Sequence, residues 1–153
     1  MLRPIVIATL IAGTLDLLAA FVFAGLAGMG PMRVLLFVAS GPLGDGVLAR
    51  PAFAAAGVLV HYAIMACMVT AYMVVARQAP LLLRHPLVAG SAYGLALWFI
   101  MYWLVRPLRW ERLPHPTDPK AIAGQLFCHL ILVGIPIALV AARHFRTGSK
   151  ARA

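Results

Sequence analysis

Charge is what this sequence lacks most. Its 153 residues hold 13 Lys and Arg and only four Asp and Glu, so charged residues make up 11% against 63% hydrophobic. Soluble domains carry about a quarter charged residues, and a chain this poor in them cannot cover itself with a hydrated surface. The charges are also placed so as to leave four stretches almost bare. Pro4 to Met32 holds one, Asp16; Pro51 to Ala76 holds His61 and no charge; Pro86 to Val105 holds none; Ala121 to Ala142 holds His129 and no charge. Cysteine is scarce as well. Cys67 and Cys128 each stand alone inside an apolar stretch, which excludes a CxxC pair, a zinc spacing and a disulfide framework. No nucleophile–base set or phosphate-binding motif is present, so no enzymatic activity is expected.

The apolar stretches are each long enough to cross about 30 Å of hydrocarbon, which takes roughly 20 residues. In lipid the backbone must satisfy its own hydrogen bonds, so they read as helices. The expectation is one all-α domain over residues 1–153, an integral membrane bundle of four transmembrane helices. The spans fall at about 4–28, 51–75, 86–105 and 121–142, followed by a basic tail at 143–153 that is expected to be disordered at its end. The first run continues past Phe23 and contains Asp16. It therefore reads as a retained helix rather than a signal peptide, whose apolar region is about 7–15 residues. Between the first two spans, Val34 to Ala39 is apolar but too short to cross, and Ser40 to Gly46 has the composition of a turn. A short interfacial helix followed by a loop is expected there. Ala20, Ala24 and Gly28 form a small-residue stripe, and Gly90 and Gly94 a GxxxG step continued by Trp98 and Tyr102; both suit close helix packing. Pro136 predicts a kink, since the carbonyl of Leu132 loses its donor.

The net charge of +9 does not point to nucleic acid, because the basic residues stand at the ends of the apolar runs, where they meet lipid headgroups. The bilayer is the expected partner, with a second copy or a larger membrane complex as further possibilities. Trp103 and Trp110 suit an interfacial aromatic belt. His115 and Asp118, on a proline-rich loop, are too few for a metal site. Four spans put both termini on one side with Arg3, Arg77, Arg84, Arg143, Arg146, Lys150 and Arg152. Arg33, Arg50, Arg106, Arg109, Arg112 and Lys120 fall on the other. The balance favours cytoplasmic termini.

Asp16, His61 and His129 are the ionisable groups inside the spans. At 1.5 Å per residue Asp16 lies roughly 18 Å, His61 roughly 15 Å and His129 roughly 12 Å from the same side, agreeing within about 6 Å. An ionisable group at such depth costs about 2.5–3.5 kcal/mol and is expected to face inward and find partners. The candidate ligand- or proton-binding residues are Asp16, His61 and His129, with Gln125 one turn before His129 and Tyr62 beside His61. Several roles are open: hydrogen bonds that hold the bundle together, a site that binds or conducts a small ligand, ion or proton, or service as an accessory subunit. No cofactor is expected. The alternative is a b-type haem for electron transfer, held between His61 and His129, with Gly57, Gly94 and Gly124 leaving room for the macrocycle.

Several short segments carry a resemblance: Gly13-Thr14-Leu15-Asp16, Ser40-Gly41, His61-Tyr62, Arg106-Pro107-Leu108, His129 and Gly134-Ile135-Pro136. In these the chain resembles uncharacterised small bacterial inner-membrane proteins with four predicted helices. The resemblance covers most of the chain. It implies the same architecture and a place in the bacterial inner membrane, and no known activity. A carboxylate in the first of four helices also resembles the arrangement of small multidrug resistance transporters, as an analogy of architecture alone.

Overall fold

Proline sets where the helices begin. Its fixed φ suits the first turn, where its missing N–H has no partner to lose. In the computed structural model, which describes residues 1–111, 113 and 115–150, five of the six helices open on a proline. They are α1 (Leu2–Leu26), α2 (Pro31–Leu43), α3 (Pro51–Gln78, its first turn 3-10), α4 (Pro80–Arg84), α5 (Pro86–Arg109) and α6 (Pro119–Arg146). Arg112 and Arg152, counted above among the basic residues, lie outside the described residues, as does the side chain of Lys150. The described chain is all helical, without a strand. α1, α3, α5 and α6 are each long and apolar enough to cross a membrane.

The helices outrun the apolar stretches at several ends. α3 continues over Arg77 to Gln78, α5 over Arg106 to Arg109, and α6 runs from Pro119 to Arg146. Hydrocarbon thickness limits an apolar run; it does not end a helix, whose terminal turns can carry arginine. α1 does the opposite and stops at Leu26. Gly28 adopts φ +78, and the amides of Gly28 and Met29 turn back to the carbonyls of Gly25 and Ala24. Gly28 thus belongs to the helix cap and not to the expected stripe, of which Ala24 is buried and Ala20 half-buried.

The segment after α1 is longer than expected. α2 has 13 residues and runs through Ser40 to Leu43, with Pro42 inside it. The last carbonyls of α2, which have no partner further along the helix, find a donor elsewhere. The Arg109 guanidinium donates to the carbonyls of Ser40 and Gly41 (2.6 Å to Gly41) and pairs with Asp45 at 2.8 Å. This ties the end of α2 to the end of α5. The Trp110 ring stacks on Phe37 at 4.5 Å and so clasps α2. At about 20 Å, α2 is too short to cross. It packs mainly on α3, where Gly57 lies directly against the Leu35 carbonyl.

Sequence neighbours among the four long helices run antiparallel, which defines two ends. Leu2, Gln78, Pro86 and Arg146 mark the first; Leu26, Pro51, Arg109 and Pro119 mark the second. α1 packs between α3 and α6, and α5 packs on α6. The GxxxG step serves packing, as expected: Gly90 meets the backbone of Gly134, and Gly94 that of His129 and Leu130. The buried core fills the half nearer the first end, from Ala8 and Ala12 through Met65, Val69, Met73 and Leu97 to Val133, Ile137 and Ala141.

Two stretches widen into π-helix, Ile100–Val105 in α5 and Cys128–Gly134 in α6. Each leads into a proline, Pro107 or Pro136, and each contains the residue four before it, Trp103 or Leu132. The proline ring crowds that carbonyl and withholds its donor, and a wider turn relieves both. The strain expected before Pro136 therefore appears as a π turn, and the same device at Pro107 carries α5 past Val105.

Candidate functional site

One π turn, Cys128–Gly134, contains His129, and the other, Ile100–Val105, lies beside it on α5. With the helix ends in place, Asp16 lies ten residues before Leu26, His61 ten after Pro51, and His129 ten after Pro119. All three therefore sit about 15 Å from the second end. Asp16 is half-buried within the bundle, His61 is 9% exposed, and His129 is half-buried.

Each imidazole is held by a backbone carbonyl. His61 Nε2 donates to the carbonyl of Gly13 at 2.8 Å, joining α3 to α1. His129 Nδ1 donates to the carbonyl of Gln125 at 2.9 Å. A carbonyl only accepts, so these two nitrogens carry the hydrogens and the tautomers follow. In the neutral rings the lone pairs are at His61 Nδ1 and His129 Nε2. Asp16 lies near enough to both rings to interact with them electrostatically, and Tyr102 and Cys128 are also within reach of its charge. No direct hydrogen bond joins Asp16 to either histidine among the described residues.

Around His129 an aromatic wall comes from α5. Trp98 Nε1 donates to Gln125 Oε1 at 3.2 Å, and the Tyr102 ring stands edge-on to His129 at 5.8 Å. The Arg106 guanidinium lies over the Tyr102 ring, 5.7 Å from its centre.

No family model, curated protein or solved structure matches this chain.

The geometry thus brings Asp16, His61 and His129 into one layer, with Gln125 one turn nearer the second end, and turns the Tyr62 hydroxyl to Thr14. The Tyr62 hydroxyl shares a 2.7 Å hydrogen bond with Thr14, while its ring covers Gly13. Tyr62 therefore braces α3 on α1 beside the site. Gln125 contributes through its backbone to His129 and through its side chain to Trp98. The glycines expected to make room for a macrocycle border no open space: Gly57 faces the Leu35 carbonyl, Gly94 the His129 carbonyl, and Gly124 the Phe23 ring. Iron at His61 Nε2 would have to displace the Gly13 carbonyl. On the loop, His115 stacks on Trp103 at 4.7 Å and Asp118 caps α6 by accepting from the Ala121 amide at 2.9 Å. No group of three metal-ligating side chains occurs among the described residues.

Trp98, Tyr102 and Arg106 are the neighbours that the sequence reading left out of the site. Their signal was present, because Gly90, Gly94, Trp98, Tyr102 and Arg106 follow one another in steps of four. Such a step keeps residues on one helix face, and the expectation followed it only as far as Tyr102.

The charge balance of the layer determines its chemistry. With Asp16 ionised and both rings neutral the layer is −1. One added proton, on the carboxylate or on either free ring nitrogen, makes it neutral. A net charge in low dielectric is costly, and three groups of the layer offer a place for that proton.

Proposed function

We propose that this chain is a non-enzymatic, multi-pass protein of a bacterial inner membrane, with both termini cytoplasmic, whose Asp16–His61–His129 layer binds a proton. The observation that carries the reading is the pinning of both imidazoles by backbone carbonyls. Each ring keeps one nitrogen fixed as a donor and the other free to accept, with a carboxylate in the same layer. A purely structural histidine needs only the first of these features. The free nitrogens and the charge compensation by Asp16 support uptake and release.

The test is a proton count. Purified protein is taken through about pH 5 to 8, the range in which histidine titrates, and the protons bound are read with an indicator dye. The histidines outside the layer are the same in both proteins, so the comparison is a difference between the two counts. Asp16→Asn retains size and hydrogen bonding but cannot ionise, and is expected to bind about one proton fewer while keeping its helical content. Indistinguishable titrations of the wild type and Asp16→Asn would overturn the reading.

A further inference from the structure

We infer that the Asp16–His61–His129 layer is reached only from the second end of the bundle, along a face formed by Arg106 and Tyr102, and is closed to the first. The inference rests on the proton-binding reading and adds a direction to it.

The two halves of the bundle differ in kind. Toward the first end each long helix places apolar side chains behind the layer: Ala12 on α1, Val69 and Met73 on α3, Leu97 on α5, Ile137 on α6. All are at most 4% exposed. An interior packed to this density leaves no room for water. The buried hydroxyls of that half, Thr9 and Tyr72, have no hydrogen-bond partner, and Tyr93 donates to the Met68 carbonyl. No hydrogen-bonded chain leads through them.

Toward the second end α5 and α6 offer polar groups in sequence. The Arg106 guanidinium lies over the Tyr102 ring, the ring stands edge-on to His129, and His129 interacts electrostatically with Asp16. The groups that face Asp16 are His61 from α3, His129 and Cys128 from α6, and Tyr102 from α5. α2 adds none, since its one ionisable residue, Arg33, is exposed. Arg106 is three residues from the end of α5, about 5 Å, so the series begins at the second end and stops at the layer.

The experiment is a one-sided pH jump on proton-tight phosphatidylcholine vesicles holding the whole chain. The fraction of molecules with the second end outward is measured first, by labelling Gly46→Cys with a membrane-impermeant maleimide. Protonation of the layer is read from Trp98, made the sole tryptophan by Trp103→Phe and Trp110→Phe, because an imidazolium at His129 quenches it. In unsubstituted protein it is read instead from the carboxyl infrared band that Asp16→Asn removes. External acid is expected to change the signal at once in the labelled fraction alone, the rest following only after an ionophore is added. An equally fast response from molecules with the first end outward overturns the one-sided route and leaves the proton site standing. No response of either signal to acid on either side, with the ionophore present, overturns both.

Discussion

His61 and His129 differ in what replacing them should do, because one bridges two helices and the other bonds within its own. His61 joins α3 to Gly13 of α1. His61→Ala is expected to lower stability by about 1–3 kcal/mol, through a lost buried hydrogen bond and the space it leaves, as read by denaturant titration in micelles. His129→Ala loses only the bond to its own helix and is expected to cost less than half as much, while removing an electrostatic partner of Asp16. At Gly94 an added Cβ would collide with the His129 carbonyl, whereas at Gly25 it would meet nothing within 4 Å. Gly94→Ala should therefore destabilise by about 1–3 kcal/mol or prevent folding. Gly25→Ala should leave stability unchanged or raise it by up to about 1 kcal/mol, as helix propensity directs. Equal effects of the two substitutions would refute the close crossing of α5 and α6. Since Gly57, Gly94 and Gly124 already face backbone or ring atoms, purified protein is expected to show no Soret band.

At the scale of elements, α2 depends on one arginine from another helix. Arg109 closes the α2 carbonyls of Ser40 and Gly41 and pairs with exposed Asp45. The carbonyl bonds matter more, because an exposed ion pair contributes about 0–1 kcal/mol and a hydrogen bond to a charged group about 1.5–3. Arg109→Ala should therefore speed amide exchange across residues 36–44, and Asp45→Ala should barely change it. Arg109→Lys is expected to resemble alanine more than arginine, for the ammonium lacks the fork that reaches both carbonyls. Equal effects of Arg109→Ala and Asp45→Ala would show that the ion pair, not the cap, holds α2. The existence of α2 was legible in the apolar run Val34–Ala39; its length was not. Ser40-Gly41-Pro42 reads locally as a turn, and only an arginine 67 residues beyond Pro42 makes a helical end there tolerable. The same limit applied at the site. That Asp16, His61 and His129 share a depth followed from counting residues. That Tyr62 turns to Thr14 depends on how α3 is rotated against α1, which a single helix does not record.

For the whole molecule, span count and orientation decide which compartment the layer serves. Four long apolar helices with α2 too short to cross place Gly46 and Gln78 at opposite ends. Gly46 follows α2 at the second end, is exposed, and has no atom within 4 Å of where its Cβ would be. Gln78 is the exposed last residue of α3 at the first end. A cysteine at either position is therefore tolerable and reachable; Cys128 is buried, and exposed Cys67, mid-way along α3, is replaced by alanine in both variants. Among the described residues the second side carries Arg33, Arg50, Arg106, Arg109 and Lys120. The first side gathers Arg3, Arg77, Arg84, Arg143 and Arg146 around the termini. The two sides balance, so the direction under test is that of the proposed orientation, with the first end in the cytoplasm. In intact cells Gly46→Cys should label directly and Gln78→Cys only after permeabilisation. Labelling of both from the same side would mean that α2 or one of the long helices has been misassigned as to crossing. Labelling of Gln78→Cys alone in intact cells would invert the protein and place the open end of the proton site toward the cytoplasm.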